Sequence, residues 1–205
     1  MTAYWRTWAE TAALAAATLA APAGLAAQDT DLPPAGFGSL RQDQVAVTLT
    51  TVNLAVRVLP LDERVIRLLA PDTYASLHAL VQSRAGAIAS AARGVNQDSA
   101  TVFFVTFFGL QSAVTFVPDQ VWIQSQGIVY RPLGILPLSP QWTDARLDQR
   151  QQASAIYLFD PAIPMSQTFT VMYGDQNTAT FDNSLTLLQS ERARVLARAA
   201  QQRQP

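Results

Sequence analysis

The sequence predicts a mainly β protein: an antiparallel β-sandwich of immunoglobulin-like kind with two helices packed on an outer face. Three observations carry that expectation. The stretch Thr101–Leu110, TVFFVTFFGL, is apolar on both faces when read at period two, with Val102, Phe104, Thr106 and Phe108 on one side and Phe103, Val105 and Phe107 on the other. Further runs alternate at the same period and end at proline or glycine, giving about seven to nine strands. Only two stretches repeat apolar residues at helical spacing, near 73–93 and 182–199.

Residues 1–27 contain a short apolar run, Ala12–Ala21, then Pro22, Gly24 and small residues before Gln28, the pattern of a signal peptide cleaved after Ala27. The alternative is a retained N-terminal anchor, because Trp5 and Trp8 stand beside a weakly apolar run and aromatic residues there sit at a membrane surface. Residues 28–42, with Pro33, Pro34, Gly36 and Gly38, read as an extended, poorly packed linker. A single domain follows over 43–199, and 200–205 is a tail.

Gln44–Leu59 alternates, but its phase slips at Thr50-Thr51, so a bulge or a strand changing sheets is expected. Val65–Leu69 is a short strand or turn. The first helix is expected to take Asp72 as N-cap and Gly94 as its terminating glycine, with the stripe Tyr74, Leu77, Val81, Ala85 and Ile88 laid on the central strand. Thr101–Leu110 should form a hairpin with Ser112–Pro118, since two apolar faces need a central place in a sheet. Val121–Ser125 and Gly127–Arg131 form a second strand pair around Gln126-Gly127. The proline-rich segment 132–142 is an extended crossover between sheets, and 143–152 is a wet loop or short helix. Ser154–Phe159 and Gln167–Tyr173 are strands. Asp182 or Asn183 caps the last helix, whose apolar stripe is Phe181, Leu185, Leu188, Val195 and Ala199; Arg192, Arg194 and Arg198 read as a solvated face, because Glu191 interrupts the basic run and no aromatic residues interleave.

Composition narrows the function. The formal net charge is −1, and removal of residues 1–27 takes one Arg and one Glu and leaves it there, which argues against nucleic acid as a partner. There is no cysteine, so disulfides, thiolate metal sites and cysteine nucleophiles are absent from the chemistry. Export without disulfides or a glycosylation sequon points to a bacterial periplasm or extracellular face.

His78 is the only histidine, beside the stripe of the first helix and one turn from Tyr74. It cannot build a multi-histidine metal site, and no G-x-S-x-G elbow accompanies it. The acids Asp62, Glu63, Asp72, Asp119 and Asp160 stand at turns and helix starts, where short acids usually work. Asp175 and Asn177 resemble a fragment of a calcium loop without its glycine or distant glutamate. These residues predict no catalytic, cofactor or metal site.

The function expected is therefore a non-catalytic interaction or scaffold protein. It would be a membrane-extrinsic accessory subunit of a larger membrane complex, respiratory or photosynthetic, with Trp5, Trp8 and Trp122 as partner or membrane contacts. Two alternatives stand beside it. One is a carrier with an apolar pocket between helix 73–93 and the phenylalanine-rich sheet. The other is a hydrolase using His78 or a carboxylate pair.

Overall fold

The structure, a computed structural model, describes residues 32–174 and 177–202. Among them are eleven strands in antiparallel sheets and four α-helices. In chain order these are α1 (Gln42–Val45), β1 (Val47–Thr50), β2 (Leu54–Pro60), α2 (Glu63–Ile66), α3 (Pro71–Gly94), β3 (Thr101–Gly109), β4 (Val114–Thr115), β5 (Val121–Ser125) and β6 (Ile128–Tyr130). Then follow β7 (Gly134–Pro137), β8 (Arg146–Leu147), β9 (Gln152–Phe159), β10 (Thr170–Tyr173), β11 (Asn177–Thr180) and α4 (Asp182–Gln202).

The central strand is central. The five-stranded sheet runs β1-β2-β3-β9-β7, so β3 is hydrogen-bonded on both edges, Val56 opposite Phe107 on one side and Phe103 opposite Tyr157 on the other. That double pairing is why the expected hairpin with Ser112–Pro118 does not form: no free edge is left. Gly109 lies flush against the chain of β8–β9, where a Cβ would stand 2.4 Å from the Asp148 carbonyl oxygen. The chain leaves through Ala113, at φ 60°, and β4 pairs instead with β8. This side ladder carries Phe116 and Leu147 into the core. Its flanking residues Ala145 and Arg150 also adopt positive φ, at about 1–2 kcal/mol each.

A second sheet runs β11-β10-β5-β6. The β5–β6 pair turns through Gln126 and Gly127, both at positive φ, the geometry that matches strand twist in a two-residue hairpin. Aromatic rings join the two sheets. Phe103 meets Phe169 edge-on at 5.7 Å, and Phe107 meets Tyr173 at 5.7 Å. Phe107 also stacks on Phe116 at 4.5 Å, and Phe169 stacks on Phe181 at 4.4 Å. Tyr157 is wholly buried among these rings; its hydroxyl donates to the Pro118 carbonyl at 3.0 Å, and burial, with Asp119 and Tyr173 adding, drives its pKa far up.

Several boundaries differ from the sequence pattern. The phase slip at Thr50-Thr51 marks a hairpin within one sheet, not a bulge: β1 pairs with β2, and Thr51 Oγ1 accepts from Leu54 N at 3.0 Å to close the turn. Val65 lies in α2, capped by Asp62, whose carboxylate accepts from Arg64 N at 2.8 Å. The N-cap of α3 is Ala70, because Pro71 supplies a preset φ at the first helical position, and Asp72 falls in the first turn. Asn96, at φ 58°, takes the left-handed terminating position expected of Gly94. α4 begins at Asp182 itself, with the Phe181 carbonyl accepting from Leu185 N at 2.9 Å.

The stretch from Pro33 to Arg41 is docked, where a loose linker was expected. Leu40 N donates to the Leu68 carbonyl and Ala70 N to the Leu40 carbonyl. Gly38 is pressed so close that a Cβ would stand 2.3 Å from backbone atoms of Leu68 and Leu69. The helices do not share one outer face either. α3 lies against β7 and β9, while α4 packs on α1.

Candidate functional site

Three regions hold candidate chemistry, two of them expected from the sequence, and the first is the α2–α3 junction. His78 Nδ1 stands 2.7 Å from Glu63 Oε1, and Arg67 Nε donates to Glu63 Oε2 at 2.6 Å. The Tyr74 hydroxyl donates to the same oxygen at 3.4 Å, with its ring 5.4 Å from the imidazole. Burial pushes the Glu63 carboxyl up, but the hydrogen bonds from Arg67 and His78 outweigh it and hold the pKa below the ordinary value. A carboxylate on Nδ1 orients an imidazole as in a catalytic triad. The third member is what matters: among the described residues no hydroxyl is hydrogen-bonded to the other ring nitrogen. The cluster ties α2 to α3 at a half-exposed surface.

The second region is the outer face of the four-stranded sheet. Trp122 is half-buried on β5, its indole Nε1 donating to the Asp119 carbonyl at 2.8 Å. The Arg131 guanidinium lies over the ring at 5.0 Å. Register places Met172 opposite Trp122, and Val129 opposite Gln124, on the same face. Val129 is 47% exposed and its neighbour Ile128, on the edge strand, 54%. None of the four strands of this sheet contains a charged residue. β11 had not been expected from the sequence, because its four residues, NTAT, carry no large apolar side chain.

The third region was missed. Glu191 is completely buried on α4, in line with Leu188 and Val195. Its Oε1 accepts from Ser39 N at 3.0 Å, from Ser39 Oγ at 2.8 Å, and from Arg198. Burial raises its pKa, yet the hydrogen bonds from Ser39 and Arg198 more than reverse that and leave the carboxyl below its ordinary value. The available signal was position: three residues after Leu188 and four before Val195 lies on the core stripe, whereas Glu191 was expected on the solvated basic face.

The remaining expected residues disperse. Asp62 caps α2, Asp119 lies in a 3-10 turn, and Asp160 accepts from Ala162 N at 2.8 Å. Among the described residues no group of three His, Asp or Glu side chains could hold a metal, and no helix is long and apolar enough to cross a membrane. Asn177 lies in β11; Asp175, Trp5 and Trp8 lie outside the described residues. In comparisons with protein-family models, with curated proteins and with solved structures, nothing matches this chain.

Proposed function

We propose that the chain is a non-catalytic extracytoplasmic interaction or scaffold protein that docks through the outer face of the four-stranded sheet around Trp122. The observation carrying this reading is the cluster of Trp122, Met172 and Val129 on that face, with the Arg131 guanidinium, just past β6, over the indole; the other residues of the face, Gln124, Thr170, Thr178 and Thr180, are uncharged. A sheet face meant for water carries polar residues at its outward positions, alternating along each strand with the apolar ones that face the core. Depletion of charge with Trp, Met and Arg enriched is the composition of interface cores. The edge strand β6 adds two adjacent exposed apolar residues and none of the usual protections of an edge, such as charge or proline, within its three residues.

The partner on this reading is a membrane complex on the outer side of a bacterial inner membrane, with the chain as its extrinsic accessory subunit. Support for that half is the export pattern of residues 1–27 and the tryptophans Trp5 and Trp8. We also read the two larger sheets as the layers of a sandwich, supported by the ring contacts of Phe103 and Phe107 with Phe169 and Tyr173. Its immunoglobulin-like form rests on strand count alone.

The test is isolation from the native cells in mild detergent. The wild-type chain is expected to migrate with a larger assembly, and the Trp122→Ser, Met172→Ser variant to migrate alone with unchanged circular dichroism. A wild-type chain that always runs as a free monomer overturns the proposal.

A further inference from the structure

We infer that the cleft between α2 and α4 is a binding site for a small amphiphile with an anionic head. The cleft has a volume of about 280 Å³. Its floor is Val65 and Leu68 from α2 and its exit, Met165 from the segment before β10, and Leu188 from α4, each at most 5% exposed. Its rim carries two guanidinium groups, Arg64 on α2 and Arg192 on α4, and no carboxylate lines it. The one acid on α4 near this level, Glu191, is taken up by Ser39 and Arg198.

Each part selects a portion of the ligand. The floor offers apolar surface and hydrogen-bonds nothing, so it takes a hydrocarbon tail. The rim presents guanidinium donors, one of them neutralised in charge by Asp62, and no lining acceptor carboxylate, so it favours an anionic head over an ammonium one. Arg64 is held by Asp62, Nε and Nη2 donating at 2.9 and 2.7 Å, and Arg192 is also engaged. Such partners orient a guanidinium without exhausting it, because its five N–H donors can serve two acceptors at once. At about 30 Å³ per water, the volume corresponds to about nine waters, which fits a tail of roughly eight carbons. The location is not the one expected of a carrier, between α3 and the central sheet. There α3 lies on β7, with Ala91 3.5 Å from where a Gly134 Cβ would stand.

The test titrates the full chain with sodium octanoate, octan-1-ol and octylamine, followed by backbone amide shifts and calorimetry. Octanoate is expected to bind at least about tenfold tighter than octylamine, a difference of about 1.4 kcal/mol. Its shifts should fall on residues 64–68, 164–166 and 185–192. Arg192→Gln should weaken octanoate about tenfold and leave octanol unchanged, while Arg192→Lys, which keeps the charge, should lose less. Ser166→Trp, which fills the mouth, should remove both. Equal affinity for the acid and the amine, shifts elsewhere, or no saturable binding tighter than about 1 mM overturns the inference. Thermal unfolding of each variant separates a filled site from a damaged fold.

Discussion

Replacing Glu191 by alanine should destabilise the protein by about 3–5 kcal/mol, the usual result of breaking a buried charged pair by removing one partner. The magnitude follows from what each bond loses. The carboxylate is fully buried and accepts from Ser39 N, Ser39 Oγ and Arg198. Arg198 is 38% exposed at its side chain and can return to water. Ser39 Oγ can rotate. Ser39 N cannot, so the alanine variant strands a backbone donor at a cost of about 1–3 kcal/mol, alongside the lost packing of the side chain. Glu191→Gln keeps an oxygen for Ser39 and gives up only charge, so it should cost about half as much. Urea unfolding of the full chain measures both.

The pH dependence has a definite sign. The folded pKa of Glu191 lies below its ordinary value of 4.5, so its contribution is fully present above that pH and fades as pH falls through the folded pKa. The difference between wild type and Glu191→Gln should therefore be constant from pH 6 upward and shrink on the acid side of 4.5. An alanine variant within about 0.5 kcal/mol of wild type, or a Gln difference that grows on acidification, refutes the account of a buried, ionised carboxylate held through Oε1.

Three further outcomes follow from the packing. Phe107→Ala removes a ring that touches Phe116, Trp142 and Tyr173 and should cost about 3–5 kcal/mol in urea unfolding, against under about 1 kcal/mol for Leu110→Ala at the exposed turn. Gly38→Ala places a Cβ against fixed backbone at 2.3 Å and should lower stability by more than about 2 kcal/mol, while Gly36→Ala, with open space but φ 85°, should cost about 1 kcal/mol; differential scanning fluorimetry ranks the two. Tyr157→Phe removes one of two hydrogen bonds to the Pro118 carbonyl, which still accepts from Val121 N, and should cost about 0.5–1.5 kcal/mol, without change in the near-ultraviolet spectrum beyond the loss of one tyrosine.

Strands were legible wherever a run alternated or was apolar throughout, because burial of one or both faces is written at period two. β3, β5, β6 and β9 are of this kind. Pairing was not legible. Ser112–Pro118 is adjacent to β3 in sequence, but adjacency decides a hairpin only when the edge is free, and both edges of β3 go to strands from elsewhere, β2 and β9. The docking of Pro33–Arg41 was hidden for a different reason. Its Pro and Gly content suggests a linker, yet Gly38 is there because two chains meet without room for a side chain, and Ser39 because a carboxylate more than 150 residues away needs two donors. Trp122 was found at a surface from its parity on a short strand. Its companions Arg131 and Met172 were not, since they depend on register between strands.

The same register explains how a strand apolar on both sides is tolerated with one helix, among the described residues, over it. The face of Phe103, Val105 and Phe107 is at 0% exposure, enclosed by the aromatic rings around the second sheet. The other face is divided. Ile156 and Leu158, paired with Phe104 and Val102, are fully buried toward the end where α3 crosses β7 and β9. At the opposite end no helix lies among the described residues, and Phe108 is roofed by the Arg57 guanidinium, 5.1 Å above its ring, while the hydroxyls of Thr106 and Ser154 pair at 3.2 Å between them. Arg57 has no carboxylate among the described residues, and its Nε is buried without a hydrogen bond. A guanidinium can occupy such a place because its flat faces are weakly hydrated while its edge still reaches water. An arginine therefore completes the cover that one helix leaves short, and a lysine at 57, with a compact and strongly hydrated charge, would leave Phe108 wetter.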